Sequence, residues 1–191
     1  MRQKDDKMNF KLHMACGKDE LRPAMTNVFV TKQFCVATDA HIMAIVPTTD
    51  IFTGEKSMDN IPEEGMYINA NDWRKLVTAK FVEYDGEFVI AYFARKSPAH
   101  VKPIPIADIG PYPNWKAVIP SSDRFDSVSK IGVNPKFIYN LHQALDMPIF
   151  KLDFIGQNVA IAVSMPEFGY GLESGHQFGI VMPTMLPKED N

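Results

Sequence analysis

Phe34-Cys35-Val36-Ala37-Thr38-Asp39-Ala40-His41-Ile42-Met43-Ala44-Ile45-Val46-Pro47-Thr48 sets two short apolar runs on either side of a polar corner. Such runs, rich in β-branched residues and bounded by turn formers, predict two antiparallel strands joined at Thr38–His41. Pro47 cannot donate to a ladder, so the second strand, His41–Val46, ends there. Just upstream, Thr26–Thr31 forms a hairpin with Phe34–Thr38 about Lys32-Gln33. Further upstream, Phe10, Leu12, Met14 and Cys16 alternate with Lys11, His13 and Ala15, the period of a half-buried strand. Residues 17–23 read as a polar connection and residues 1–7 as a solvated tail.

The ending of this stretch recurs. Ile45-Val46-Pro47-Thr48 is echoed by Val118-Ile119-Pro120-Ser121 and by Val181-Met182-Pro183-Thr184, with prolines 73 and 63 residues apart. A strand-terminating proline at such intervals predicts repeated supersecondary units. A second echo supports this. Ile68-Asn69-Ala70-Asn71-Asp72-Trp73-Arg74-Lys75-Leu76 and Val133-Asn134-Pro135-Lys136-Phe137-Ile138-Tyr139-Asn140-Leu141 share an apolar-Asn opening and a leucine seven residues after the Asn. In each, a short strand delivers an Asn able to cap the next helix, and Pro135 suits the first helical position. Three units follow, at roughly 8–49, 62–122 and 128–187, the first without its Asn-led helix. This groups the chain as a two-unit domain over 1–122, a third half-unit over 128–187 and a tail at 188–191.

Between these anchors, Thr49–Glu64 reads as a polar linker. Asn71–Lys80 reads as a helix with Trp73, Leu76 and Val77 facing a core. Asp85-Gly86 marks a hairpin ahead of a strand over Phe88–Ala94. Pro103 and Pro105 place the run His100–Ile106 at a sheet edge. Residues 121–129 connect units. In the third unit, a helix Pro135–Leu145 precedes the hairpin Lys151–Ile155/Val159–Met165, turning at Gly156-Gln157-Asn158, and a last strand Gln177–Met182. The fold class is α+β, with helices over antiparallel sheets.

Composition narrows the function. An apolar share of 46% against 23% charged residues is that of a globular chain with a substantial core. No apolar run approaches a membrane span, and the charged start has no signal-like apolar region behind it. Two cysteines are too few for a disulfide framework or a zinc site, so a cytoplasmic chain with free thiols is expected. A net charge of −3, with three basic and six acidic residues over 131–191, gives no global footprint for a polyanion.

Three segments together carry a resemblance. Val36-Ala-Thr-Asp-Ala-His41-Ile-Met-Ala44 resembles the Ala-Thr-Asp-Gly-His-Arg-Leu-Ala segment of bacterial sliding clamps, the beta subunit of DNA polymerase III. Asp108-Ile-Gly-Pro-Tyr-Pro-Asn-Trp-Lys-Ala-Val-Ile-Pro120 resembles that family's Asp-Gly-Arg-Phe-Pro-Asp-Tyr-x-x-Val-(Leu/Ile)-Pro. Val181-Met-Pro-Thr-Met-Leu186 resembles its C-terminal Val-Met-Pro-Met-Arg-Leu. The order is that of a clamp, from Val36 to Leu186, but a clamp chain has three domains of two half-units each. The resemblance implies a truncated, divergent, non-enzymatic clamp-like protein of DNA-clamp-like fold, with no cofactor.

It also implies a groove for short linear motifs of replication or repair proteins. Residue by residue, that groove would use Thr38, Ala40, His41, Ile42, Met43, Pro120, Asn134, Phe137, Ile180, Val181, Met182, Pro183, Thr184 and Met185. Ala40, Ile42 and Met185 stand where the family has Gly, Arg and Arg, which makes the rim more apolar. Helix faces would meet duplex phosphates through Arg74, Lys75, Lys80 and Lys136, without reading sequence, and a homo-oligomer is compatible with this reading. The alternative is a structural or regulatory self-associating module without DNA binding. An Asp39–His41 pair with Ser121 as nucleophile has no oxyanion element in its vicinity. The histidines and cysteines show no metal-ligand spacing, and Gly169–Gly175 lacks the lysine and context of a phosphate loop.

Overall fold

The computed structural model describes residues 8–54, 57–121, 128, 130–156 and 158–184. Its centre is the meander β1 (Asn27–Val30), β2 (Phe34–Thr38) and β3 (Ile42–Pro47), paired as the apolar runs predict. Next come a helical turn α1 (Ser57–Asn60), the strand β4 (Met66–Asn69) and the helix α2 (Ala70–Leu76). β5 (Phe81–Tyr84), β6 (Val89–Tyr92) and β7 (Ala99–Val101) form a separate three-stranded sheet. β8 (Ile104–Pro105) and the short α3 (Ile106–Ile109) lead into a long connection. α4 (Pro135–Leu145), β9 (Lys151–Asp153), β10 (Ile161–Ser164) and β11 (Phe178–Val181) complete the chain. The main sheet has eight strands in the order β8-β4-β1-β2-β3-β11-β10-β9, all pairs antiparallel.

Both faces of this sheet are covered, which is why its strands read as continuous apolar runs. Val28, Cys35, Ala44 and Val46 point to a helix-side core with Trp73, Leu76, Leu141 and Leu145. Phe29, Val36, Met43 and Ile45 point to a second core with Trp115 and Phe178, covered by the 104–119 connection through Ile104, Ile109, Tyr112 and Ile119. Gly179 lets α4 lie close on β11. A Cβ there would sit 2.9 Å from Leu145 Cδ1 and 3.0 Å from Leu141 Cδ2.

The internal echo holds at its anchors. Asn69 and Asn134 both cap helices, accepting from the backbone N–H of Asn71 and Lys136 at 3.0 Å, and Leu76 and Leu141 are both fully buried. It fails elsewhere. Pro47 ends β3, but Val118 closes a 3-10 helix (Trp115–Val118), so Pro120 ends no strand. The strand expected before Asn134 shrinks to one bridge, Gly132 to Thr184.

Other expectations are corrected. Residues 10–16 form no strand; a 3-10 helix, Leu12–Met14, fills the space between α2 and α4. Leu12, Ala15 and Cys16 are buried at helical spacing, a pattern superimposed on the alternation. The expected helix 71–80 stops at Leu76. Thr78 takes a φ of 74°, its N–H donates to Met8 O, and Met8 N–H donates to Ala79 O, both at 2.7 Å. The incoming N-terminal segment thus replaces the next helical turn, and Lys80 leads into β5. The expected polar linker is packed over its described residues 49–54 and 57–64, with Ile51, Phe52 and Ile61 buried and Thr53 N–H donating to Val82 O at 2.9 Å. The run 100–106 is split between β7 and β8, each at an edge, with Pro103 in the break. The Gln157 turn position and the 188–191 tail lie outside the described residues, as does most of 121–129. Among the described residues, no helix is long and apolar enough to cross a membrane.

Candidate peptide groove

Local polar chemistry shapes the corner between β2 and β3. Asp39 Oδ1 accepts from the N–H groups of His41 and Ile42 at 2.8 and 2.9 Å. Thr38 Oγ1 donates to Ile42 O at 2.7 Å and accepts from Ala40 N–H at 3.1 Å. These bonds tie the turn to itself and hold Ala40 at a φ of 75°. Met182 N–H donates to His41 O at 2.8 Å, which joins the end of β11 to the corner.

Beside this corner lies a pocket of about 190 Å³. The corner supplies Thr38, Ala40, His41, Ile42 and Met43, and β11 and its exit supply Ile180 and Met182. The covering connection closes it with Pro113, Asn114, Trp115 and Val118, and Met25 completes the floor. Met182 and Val118 stand 38% and 50% exposed at the rim. Past Met25, Ala40 and Pro113 the pocket continues into an open depression of about 640 Å³, lined by Arg22, Ile109, Pro111 and Tyr112. Most polar atoms of Thr38 and Asp39 are already engaged with the corner's backbone. The surface offered to a ligand is therefore apolar.

Seven of the fourteen groove residues expected from the sequence meet here: Thr38, Ala40, His41, Ile42, Met43, Ile180 and Met182. Phe137 touches this set through His41, ring centroids 5.2 Å apart. Pro120 instead lines a separate cleft of about 730 Å³ with Lys116, Ser121, Tyr170 and His176. Asn134 is occupied as a helix cap. Val181 points into the helix-side core, Pro183 is half-buried, Thr184 pairs with Gly132, and Met185 lies outside the described residues. Met25, Pro113, Asn114, Trp115 and Val118 are lining residues the sequence reading missed. All but Met25 fall inside the Asp108–Pro120 segment, whose aromatic Trp115 amid prolines was the available signal.

The remaining chemistry candidates are dispersed. Asp39 Oδ1 is 3.9 Å from His41 Nδ1, but Ser121 belongs to the other cleft. Burial pushes the thiols of Cys16 and Cys35 up to about 12, so neither is a thiolate at neutral pH. Among the described residues, no group of three His, Cys, Asp or Glu side chains could hold a metal ion. Arg74, Lys75 and Lys136 are exposed on α2 and α4, Lys75 pairing with Asp72 at 2.6 Å, whereas Lys80 lies beyond its helix.

No family model matches the sequence, and no curated protein matches it. Solved structures do match. The beta sliding clamp of Caulobacter crescentus, determined with polyethylene glycol bound, shares 15% identity with a TM-score of 0.63 over 95% of this chain and 64% of its own. DNA polymerase III subunit beta of Borrelia burgdorferi, in complex with a natural product, shares 12% with a TM-score of 0.60 over 98% and 66%. The sliding clamp of Bartonella birtlesii bound to griselimycin shares 13% with a TM-score of 0.59 over 93% and 64%. The fold is that of a DNA clamp, α+β with antiparallel sheets. This chain spans just under two thirds of the length of these clamps.

Proposed function

We propose that this DNA-clamp fold serves as a non-enzymatic docking protein that takes short apolar segments of replication or repair proteins into the pocket beside Met182. The observation that carries the reading is the convergence of residues 38–43, 113–118 and 180–182 on one apolar, partly open site. Methionine side chains adapt to varied aliphatic and aromatic anchors, and a few buried anchors usually dominate such affinity. The depression past Ala40 gives an extended peptide a second place to rest. The Caulobacter clamp was determined with polyethylene glycol bound and the Bartonella clamp with griselimycin, which makes these two compounds reasonable probes.

With Ile42 where clamps carry Arg, the rim has little grip on a peptide carboxylate. Affinity is therefore expected at tens of micromolar, about −6 to −7 kcal/mol. Fluorescence polarisation with a labelled clamp-binding peptide tests this. Met182→Lys should weaken binding at least tenfold while leaving the unfolding midpoint nearly unchanged, because it places a charge against any apolar anchor. Unaltered binding in that variant refutes the reading. Contact with duplex DNA belongs to the same proposal through Arg74, Lys75 and Lys136 alone, and with so few phosphate partners would be sequence-independent and salt-sensitive.

A further inference from the structure

Pro120 does not join the peptide pocket; it lies in the second cleft, of about 730 Å³, between residues 116–121 and the loop from Glu167 to His176. The 3-10 helix Trp115–Val118 separates the two sites. With about three residues per turn, it sets Trp115 and Val118 on the pocket side and Lys116 and Ile119 on the cleft side. The loop is held by its own contacts. Phe168 stacks on His176, ring centroids 3.6 Å apart at 16°, Ser174 Oγ donates to Gly171 O at 2.8 Å, and Ser164 Oγ donates to Phe168 O at 3.2 Å. Tyr170 reaches to the other wall, its hydroxyl donating to Ser121 O at 3.4 Å.

Glu167 and Glu173 stand exposed on this cleft beside the rings of Phe168, Tyr170 and His176, and neither glutamate is in an ion pair among the described residues. Lys116 borders the cleft too, with its Nζ over the Trp115 ring, 5.5 Å from the centroid. Its charge is thus shared with the indole that walls the pocket. Carboxylates next to aromatic faces suit a cation, and a guanidinium best, because it stacks flat on a ring while its edge donates to carboxylates. An anion there would face both glutamates. We propose that the cleft is a second recognition site of the docking surface, taking an arginine side chain that flanks the apolar anchor of the same peptide; the inference rests on the docking reading above. A helix with its side chains is about 10 Å across, the reach of about three residues of extended peptide. That sets the spacing between anchor and arginine.

Fluorescence polarisation tests this with clamp-binding peptides that carry arginine, its neutral isostere citrulline, or glutamate at about two to four residues on either side of the anchor. At one of these positions the arginine peptide should bind about fivefold tighter than the citrulline peptide, and the glutamate peptide should bind most weakly. The gain should shrink as salt is raised, since the carboxylates are exposed. Glu167→Gln combined with Glu173→Gln should bring the arginine peptide down to the affinity of the citrulline peptide. Glu167→Lys combined with Glu173→Lys should make the glutamate peptide the tightest of the three. Arginine and citrulline peptides that bind equally at every position, while Met182→Lys still weakens both, would overturn this inference and leave the pocket standing. No peptide binding to the wild-type chain would overturn both. A glutamate peptide that binds the wild type most tightly, or an arginine gain that survives loss of both carboxylates, would overturn the cleft alone.

Discussion

At the corner of β2 and β3, Ala40 holds a φ of 75° with a Cβ attached, where clamps place glycine. An L-residue in the left-handed region costs about 1–2 kcal/mol, while glycine adds about 0.4–1 kcal/mol of unfolded-chain entropy. Ala40→Gly should therefore raise stability by about 0.5–1 kcal/mol, read as a higher urea midpoint. His13 shows the opposite kind of tension. Burial first, then the charges of Arg74 and Lys11, hold its pKa down at about 4, and its Nδ1 is buried without a hydrogen-bond partner. The ring folds neutral. As pH falls below about 6.5 the unfolded chain takes up a proton that the folded one refuses, so stability declines until about pH 4. The half-exposed ring limits the loss to on the order of 1–2 kcal/mol. His13→Gln should flatten that part of a pH–stability profile; an unchanged slope assigns it to other groups.

Among the elements, those with one dominant local signal are legible in the sequence. β1, β2 and β3 are continuous apolar runs between turn residues, and α4 begins where the Asn134 cap and Pro135 place it. The corner of the pocket is legible for the same reason, since Thr38 and Asp39 form their turn from local bonds. Elements decided by distant chain are not legible. The Leu12–Met14 helix exists because α2 and α4 leave a space for it, and α2 ends early because Met8 takes its next hydrogen bonds. The pocket's outer wall was missed likewise. Trp115 lines it because the 104–119 connection crosses the sheet, and Phe34 packs edge-on against Trp115 at 6.1 Å, a contact with no local pattern. Pro120, matched by sequence, follows that crossing into the neighbouring cleft.

Across the whole molecule, one sheet ties distant stretches of the chain together. β3 pairs with β11, and β1 pairs with β4, and both cores draw on residues from early, middle and late in the sequence. The two tryptophans report opposite sides of that sheet, Trp73 in the helix-side core, its Nε1 donating to Phe10 O at 2.8 Å, and Trp115 in the other. Gly179→Val disturbs the packing of β11 on α4 and β3: its side chain would meet Leu141, Leu145 and the Met43 carbonyl within about 3 Å. Such overpacking costs about 2–3 kcal/mol, or about 5–10 °C in Tm for a chain of this size. If the sheet makes the chain one cooperative unit, fluorescence from Trp73 and from Trp115, each isolated by replacing the other with Phe, should show the same lowered transition. A Trp73 signal that keeps its original midpoint while Trp115 shifts would mean that β4, α2 and the small sheet fold apart from β11.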